Sequence, residues 1–282
     1  MNARTVTAVV EGHPTSDGAG VRLFRVFSPN DPSGLDPFLL LDEFRSDEAA
    51  DYIAGFPPHP HRGFETVTYM LEGEMLHEDH LGNRGRLTSG SVQWMTAGRG
   101  VIHSEMPQQE EGRMHGFQLW INLPAAEKLK EAAYRDIPPE AVPEAPLAGG
   151  GLARVIAGRL DLDGTPVDGA VTGVSTDPLY VDLYLPASAM QTVPVTAGHT
   201  ALVYVYEGAV TVAGETVRAH RLARLGDGDA VRLQAGDDGA RVLLLAARPL
   251  REPVVHHGPF VMNTPEEIAQ AIADYREGRL TA

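Results

Sequence analysis

The chain has 282 residues, no cysteine, 11 histidines, and 38 acidic against 23 basic side chains, which gives a formal net charge of −15. The lack of cysteine excludes a disulfide scaffold, an iron–sulfur cluster and a thiol nucleophile, so any metal must be bound by His, Asp or Glu. The acidic balance argues against nucleic acid as a direct partner, because phosphate binding requires concentrated Lys and Arg.

Short apolar stretches separated by turn residues run through the whole chain. Residues 65–71, 181–185, 201–206 and 241–245 are rich in β-branched, aromatic and aliphatic side chains. Many short strands with regular turns are typical of an all-β sandwich or barrel. The longest apolar run, residues 242–247, is far shorter than the roughly 20 residues that a membrane helix needs. The N-terminus has no apolar core of a signal peptide, so we expect a cytoplasmic, all-β protein without membrane contact.

Two helices are also predicted. Residues 125–134 are rich in Ala, Glu, Lys and Leu, which favours a helix. Near the C-terminus, Thr264 is a typical N-cap, Pro265 occupies the first helical position, and Glu267 completes a capping box. Gly278 then provides the expected C-cap.

A segment rich in Pro and Gly divides the chain into two similar parts. Residues 136–151 contain four prolines and three glycines, so we predict a linker between domains at 1–135 and 152–282. The two parts are weakly alike, since residues 69–73 and 204–208 both read as a strand, a Glu-Gly turn and a strand. This similarity predicts an internal duplication of a β-barrel.

Two pairs of potential metal ligands lie in the first part, His59 with His61 and His103 with Glu105. Alternate side chains of a strand point to the same face, so each pair projects together. If the two strands face each other inside a barrel, the four side chains converge. Three imidazoles and one carboxylate suit Fe(II), Mn, Ni, Cu or Zn better than Ca or Mg. A single His-x-His pair is common on a solvated strand face, but two such pairs favour a metal site.

The sequence around these pairs carries two longer motifs. Residues 55–73 have the pattern G-x3-H-x-H-x3-E-x7-G, and residues 90–103 have the pattern G-x5-T-x-G-x4-H. Both resemble the cupin motifs, with Thr96 in place of a proline and without the final asparagine. These departures are similar to those of the pirin family within the cupin superfamily. The segments that match this family span most of the chain in order: 36–44, 59–66, 92–100, 103–107, 118–124 and 258–263.

The resemblance to pirins implies a bicupin, with two jelly-roll-like β-barrel domains, few short helices and a C-terminal helix. It implies one mononuclear metal, usually Fe(II), in the N-terminal barrel. The second part of the sequence has no His-x-His and no His-x-Glu pair, so we expect its barrel to have no metal site. Carried over by position, the ligands are His59, His61, His103 and Glu105. Glu65, a ligand in the general cupin motif, is then expected beside the site, where it orients an imidazole. The alternative for Glu65 is a strand residue that faces solvent.

The other histidines are expected to be structural or solvated. His77 and His80 enclose Glu-Asp in a predicted strand, whose alternation prevents all four from converging, although His77 could approach the pocket. His115 is expected to be structural. His256 and His257 are adjacent and should point to opposite faces of an extended segment.

The resemblance also implies an activity, that of a quercetin 2,3-dioxygenase, which opens the central ring of a flavonol with O₂ and releases CO. Glu105 is expected to act as a catalytic base that accepts the proton of the substrate hydroxyl. The expected partners are a small phenolic substrate and O₂, with the chain as a monomer. The alternative is an iron-dependent, redox-sensing regulatory protein that binds another protein without catalysis. A third reading is that flavonol cleavage is incidental to a site for another small molecule.

Overall fold

Short strands joined by turns make up most of the structure, a computed structural model that describes residues 1–30, 35–162 and 164–282. The chain is mostly β with a helix near its C-terminus, which confirms the predicted fold class. In chain order the strands are β1 (Val6–Glu11), β2 (His13–Asp17), β3 (Val21–Phe27), β4 (Phe38–Ser46), β5 (Phe56–His61), β6 (Phe64–Glu72), β7 (Met75–Asp79), β8 (Arg84–Leu87), β9 (Val92–Thr96), β10 (Val101–Pro107), β11 (Met114–Asn122), β12 (Ala133–Ile137), β13 (Glu144–Pro146), β14 (Leu152–Ala157), β15 (Arg159–Leu162), β16 (Thr165–Asp168), β17 (Leu179–Leu185), β18 (Met190–Pro194), β19 (Thr200–Val212), β20 (Glu215–Arg218), β21 (Arg221–Leu225), β22 (Ala230–Ala247), β23 (Val255–His257) and β24 (Phe260–Met262). The helix α1 covers Pro265–Arg276, and short 3₁₀ turns lie at Ala49–Asp51, Ala125–Glu127, Pro139–Ala141 and Ala148–Gly150.

The chain folds into two units, each assembled from separate stretches of sequence. Within the described residues, the first unit takes His13–Asp31, Phe38–Pro139 and Leu250–Ala282, and the second takes Met1–Gly12, Pro32–Pro37 and Glu140–Pro249. The change of unit after Pro139 falls inside the segment 136–151. Two terminal segments, however, do not follow the predicted division. Met1–Gly12 belongs to the second unit, and Leu250–Ala282 belongs to the first. The predicted domain boundaries therefore stay a prediction.

The first unit consists mainly of two antiparallel sheets. One has seven strands in the order β12-β9-β6-β11-β4-β3-β2, and the other has four in the order β5-β10-β7-β8; β23 and β24 form a separate hairpin. Phe44, Met70 and Met114 from the seven-stranded sheet share an apolar cluster with Met75 and Leu87 from the four-stranded sheet. The burial of this apolar surface holds the two sheets face to face.

The second unit is built around a nine-stranded sheet with the central order β1-β21-β19-β22-β17-β14-β13. Strands β18 and β20 pair with β22 and β19, and β15 and β16 form a hairpin. Its interior is filled by aliphatic side chains, such as Val155, Val181, Val203 and Leu244, all without solvent exposure. These aliphatic side chains form the hydrophobic core of the unit.

The helix α1 begins as the sequence predicts. The Thr264 hydroxyl accepts a hydrogen bond from the backbone N–H of Glu267, and the Glu267 carboxylate accepts one from the backbone N–H of Thr264. The apolar face of the helix, with Ile268 and Ala271, packs against Phe260 and Leu280. In the described part of the chain, no helix is both long enough and apolar enough to cross a membrane.

The predicted helix over 125–134 is wrong. Only Ala125–Glu127 form a 3₁₀ turn, and the strand β12 begins at Ala133. This strand pairs with β9 along the edge of the seven-stranded sheet. Tertiary pairing has overridden the local preference of Ala, Glu, Lys and Leu for a helix.

Candidate metal centre

Three strands of the four-stranded sheet carry the potential ligands. Strand β10 lies between β5 and β7. Along one side of β10, His103 lies opposite His59, and along the other side Glu105 lies opposite His77. Because residues two apart on a strand share a face, His103 and Glu105 project on the same side of the sheet. The antiparallel register therefore places ligand-type residues from three strands next to one another.

The three histidines predicted as ligands form one cluster. Each of His59, His61 and His103 offers a ring nitrogen, and these three nitrogens lie within 4.8 Å of one another. The Nε2 atoms of His59 and His61 are 3.0 Å apart. The ring centroids of His59 and His103 are 4.3 Å apart, and those of His61 and His103 are 5.0 Å apart.

The hydrogen bonds around these rings fit a bound cation. The Nδ1 of His59 lies 2.9 Å from the carbonyl oxygen of Pro57, so Nδ1 carries the proton and Nε2 presents its lone pair to His61. The Nε2 of His103 is buried and has no hydrogen-bond partner, an arrangement that is unfavourable without a ligand for that nitrogen. Convergent imidazole nitrogens of this kind suit a divalent transition metal.

Burial keeps two of the imidazoles uncharged. His61 is 3% exposed and His103 is 1% exposed. Burial, together with the neighbouring imidazole of His59, lowers the pKa of His61 well below its usual value. Burial and the imidazoles of His61, His59 and His77 likewise lower the pKa of His103. Neutral imidazoles are the form that binds metal, so the pocket holds these side chains ready for a cation.

Glu105 lies in a second cluster that shares His103 with the first. Ligand atoms of His77, His103 and Glu105 lie within 4.8 Å of one another. The Oε1 of Glu105 is 3.1 Å from the hydroxyl of Thr68, and both carboxylate oxygens are 3.3 Å from the Nε2 of Gln118. The Thr68 hydroxyl also lies 2.6 Å from Oε1 of Gln118, so its single proton is shared between two acceptors. Thr68 in β6 and Gln118 in β11 belong to the opposite sheet and contact the carboxylate from there. The convergence of all four predicted ligands on one ion stays a prediction.

Glu65 differs from both of its expected roles. It is 2% exposed and accepts a hydrogen bond of 2.7 Å from the Thr96 hydroxyl, so it does not face solvent. Burial raises the pKa of the Glu65 carboxyl. Its partner is a hydroxyl on the neighbouring strand β9 rather than an imidazole, and it belongs to neither ligand cluster among the described residues.

His77 differs from the solvated strand that the sequence favours and agrees with the alternative that it approaches the pocket. It has no exposed surface, and its ring lies 5.1 Å from that of His103. The available signal was the alternation of Met75, His77 and Asp79 on one face of β7, because an apolar residue at Met75 marks the inward face. His115 is structural, as expected: it is buried and lies 2.8 Å from Glu43.

A cavity of about 860 Å³ adjoins the clusters, and its lining includes His59, His61 and Glu105. Its walls also include apolar side chains, among them Phe44, Phe56, Leu40 and Trp120. A volume of this size is within the range of small-molecule sites, roughly 300–1,000 Å³.

Three charged groups in the cavity wall come from the seven-stranded sheet: Asp17, Arg25 and Asp42. Arg25 donates hydrogen bonds to Asp42 at 2.9 and 2.7 Å and to Asp17 at 2.8 Å. Two carboxylates therefore pair with its charge, and with Glu105 the lining contains three carboxyl groups and one guanidinium. Sequence reasoning missed these residues, because only the pairing of β2, β3 and β4 brings them together.

His256 and His257 are the two adjacent histidines of β23. Their opposite directions along the strand stay a prediction. Both line the cavity. They reach it because Leu250–Ala282 fold with the first unit. The cavity therefore includes residues from both ends of the sequence of this unit.

The comparisons with known proteins agree with this arrangement. Residues 20–121 match the family model described as Pirin, and residues 180–281 match the one described as Pirin C-terminal cupin domain. A protein of Pseudomonas aeruginosa named "Putative quercetin 2,3-dioxygenase" is 57% identical over 280 residues, covering 98% of each chain. The protein named Pirin in Homo sapiens is 42% identical over 284 residues, covering 99% of this chain and 94% of its own.

A solved structure extends the likeness to the whole fold. The crystal structure described as quercetin 2,3-dioxygenase from Acinetobacter baumannii superimposes with a TM-score of 0.90 at 34% sequence identity. The match covers 99% of both chains, so it includes both units and the C-terminal helix.

Proposed function

The chain belongs to the pirin family, and on that premise we propose that it is a metal-dependent dioxygenase of the quercetin 2,3-dioxygenase type. It would open the central ring of a flavonol with O₂ and release CO. The proposal is supported by two ligand clusters that share His103, beside a cavity whose wall includes His59, His61, Glu105 and aromatic side chains.

We propose His59, His61, His103 and Glu105 as the ligands of one divalent metal. Fe(II) is the leading candidate, and Mn, Ni, Cu and Zn suit the same nitrogen and oxygen donors. When bound, the metal would supply a positive centre that lowers the pKa of a phenolic hydroxyl and orients it beside O₂. The neutral imidazoles leave this positive charge largely in place, because Glu105 is the one anionic group of the set.

Glu105 is placed to accept the proton of the substrate hydroxyl. Its Oε1 is within reach of the Thr68 hydroxyl, and Gln118 Nε2 lies at the same distance from both carboxylate oxygens. These contacts orient the carboxylate in a site where it is 3% exposed, so a proton transferred to it is shielded from water. Glu105 is thus both a proposed ligand and the proposed catalytic base.

The cavity walls suit flat aromatic rings. Phe44, Phe56 and Trp120 provide apolar faces against which the rings of a polyphenol can pack. The acidic lining and the paired Arg25 disfavour a substrate that carries carboxylates or phosphates. A phenol, which is neutral until it meets the metal, agrees with both features.

Metal content and turnover test the proposal together. We expect the purified protein to bind about one divalent metal per chain, consume O₂ and release CO with quercetin. His59→Ala should lose metal and turnover, whereas His80→Ala, at an exposed histidine outside both clusters, should keep both. Glu105→Ala should lose turnover by at least about 100-fold.

Two results would contradict the proposal. Full metal occupancy without turnover over a panel of flavonols would remove the enzymatic function and favour a regulatory binding role. Full occupancy in the triple variant His59→Ala, His61→Ala, His103→Ala would reject the ligand assignment. Thermal unfolding of each apo-variant serves as the control for correct folding.

A further inference from the structure

A buried chain of polar contacts leads away from the proposed ligand His103. The Nδ1 of His103 lies 3.3 Å from the Nδ1 of His77. On the far side of the His77 ring, Nε2 makes no hydrogen bond, but it lies 3.7 Å from Oδ2 of Asp79. The side chains of His77 and Asp79 are 0% and 1% exposed, and His103 is 1% exposed. The proposed function leaves His77 and Asp79 without a role.

The order of donors and acceptors along this chain follows from electrostatics. The separation of 3.7 Å is too long for a hydrogen bond, but the Asp79 carboxylate favours the tautomer in which Nε2 of His77 carries the proton, and Nδ1 is then the acceptor. The Nδ1 of His103 must then carry a proton, so that its N–H donates a hydrogen bond to Nδ1 of His77. This leaves the lone pair of His103 on Nε2, the buried atom that has no hydrogen-bond partner. The carboxylate thereby determines which nitrogen of His103 is free.

Other contacts hold the side chains of Asp79 and His77 in place. Asp79 accepts hydrogen bonds from the backbone N–H of Leu81 at 2.9 Å and of Asn83 at 3.0 Å, and from the Asn83 side chain at 2.8 Å. The ring of His77 stacks on Tyr134, with centroids 4.5 Å apart and an interplanar angle of 26°. Gly85 permits this packing, because a Cβ there would lie 1.8 Å from the Tyr134 hydroxyl.

We propose that Asp79 and His77 are positioning residues that fix the tautomer and orientation of His103 for metal binding. The inference rests on the proposed function, since it requires that His103 is a ligand. Partners of this kind raise ligand basicity and keep the ring from rotating, and their loss typically weakens metal binding about 10- to 100-fold. Here the Asp79 carboxylate does not contact His103 directly. It acts on the imidazole of His77, two residues away on β7, and His77 in turn contacts His103.

Two substitutions of His77 separate hydrogen bonding from packing. His77→Phe keeps an aromatic ring against Tyr134 but removes the acceptor for His103. His77→Asn loses the stacking but places an amide oxygen where Nδ1 stood. We would titrate each apo-protein with Co(II) against a chelating indicator and record the Co(II) absorption spectrum. His77→Phe should weaken Co(II) binding about 10- to 100-fold and shift the spectrum, and His77→Asn should restore most of the affinity.

Matched controls address folding and the carboxylate. His115→Phe removes another buried imidazole of the same unit, outside both clusters, and should keep wild-type Co(II) affinity even where it lowers thermal stability. Asp79→Asn should weaken Co(II) binding in the same direction as His77→Phe, because His77 then loses the group that orders its protons. Wild-type affinity in Asp79→Asn would overturn the role of the carboxylate.

The remaining outcomes are distinct from one another. Wild-type Co(II) affinity in His77→Phe, or equal weakening in His77→Phe and His77→Asn, would overturn the inference and leave the proposed function standing. A smaller number of imidazole ligands in Co(II)-loaded His77→Asn, measured by X-ray absorption, would make His77 a ligand and also overturn it. If the wild-type protein binds no Co(II), the proposed metal site itself is rejected.

Discussion

Lys128 shows how one buried charge joins distant parts of the first unit. Its side chain is almost completely buried, and Nζ donates to the carbonyl oxygens of Gly63 and Val261 at 2.8 and 2.9 Å and to Asn122 Oδ1 at 2.6 Å. These acceptors lie at the turn after β5, on β24 and at the end of β11. One ammonium group therefore connects the strand that carries His59 and His61 to the C-terminal hairpin.

Removal of this ammonium group should destabilise the fold in a pH-dependent way. We expect Lys128→Met to lower the free energy of unfolding by about 1–3 kcal/mol near pH 7, because three buried acceptors lose their donor. Burial lowers the pKa of Lys128 to about 8, below its unfolded value of about 10.4. The unfolded chain thus binds more protons between these values, and the stability of the wild type rises with pH across this window.

Urea unfolding of both proteins from pH 7 to 10.5 measures this linkage. The stability difference between wild type and Lys128→Met should grow by up to about 3 kcal/mol across the window. Lys128→Arg keeps the charge and does not titrate in this range, so its difference from Lys128→Met should stay constant. A constant difference for the wild type as well would show that Lys128 has its ordinary pKa in the fold.

At the scale of single elements, local pattern predicts the direction of side chains but not the pairing of strands. The alternation of His59 with His61 and of His103 with Glu105 is readable from the sequence, because the period of a strand is two. The antiparallel register that sets Glu105 opposite His77 depends on contacts distant in sequence. The helix prediction for residues 125–134 was wrong for the same reason, because pairing with β9 determines the structure of β12.

The helix α1 is the element whose local signals were sufficient. Thr264→Ala should lower the free energy of unfolding by about 1 kcal/mol, because the backbone N–H of Glu267 loses its acceptor at the start of the helix. Thr264→Ser keeps a hydroxyl and should restore most of that loss. Denaturant unfolding of the three proteins provides the measurement, and equal stability of wild type and Thr264→Ala would show that the cap contributes nothing.

At the scale of the whole molecule, the sequence predicts two related halves. It does not predict that Met1–Gly12 belongs to the second unit and Leu250–Ala282 to the first. The motif around His59 and His103 was sufficient to predict the cluster of His59, His61 and His103, because these residues lie in two short segments of the sequence. The wall of the cavity was not predictable in this way. It requires Leu250–Ala282 to fold with the first unit, an arrangement stabilised by the ion pair of 2.8 Å between Arg62 and Asp274 and the hydrogen bonds of Lys128.

The C-terminal hairpin should therefore affect substrate binding without affecting the metal. His256 and His257 line the cavity but belong to neither ligand cluster among the described residues. We expect the double variant His256→Ala, His257→Ala to keep its metal content and to bind quercetin about fivefold more weakly, the effect of losing about 1 kcal/mol of polar contact. Quenching of Trp fluorescence by quercetin, with metal analysis of the same samples, makes this measurement.

The exposed histidine His80 supplies the matched control, since His80→Ala lies outside the cavity wall. Loss of metal in the double variant would place these histidines in the metal centre instead, and unchanged quercetin affinity would remove the hairpin from the binding surface.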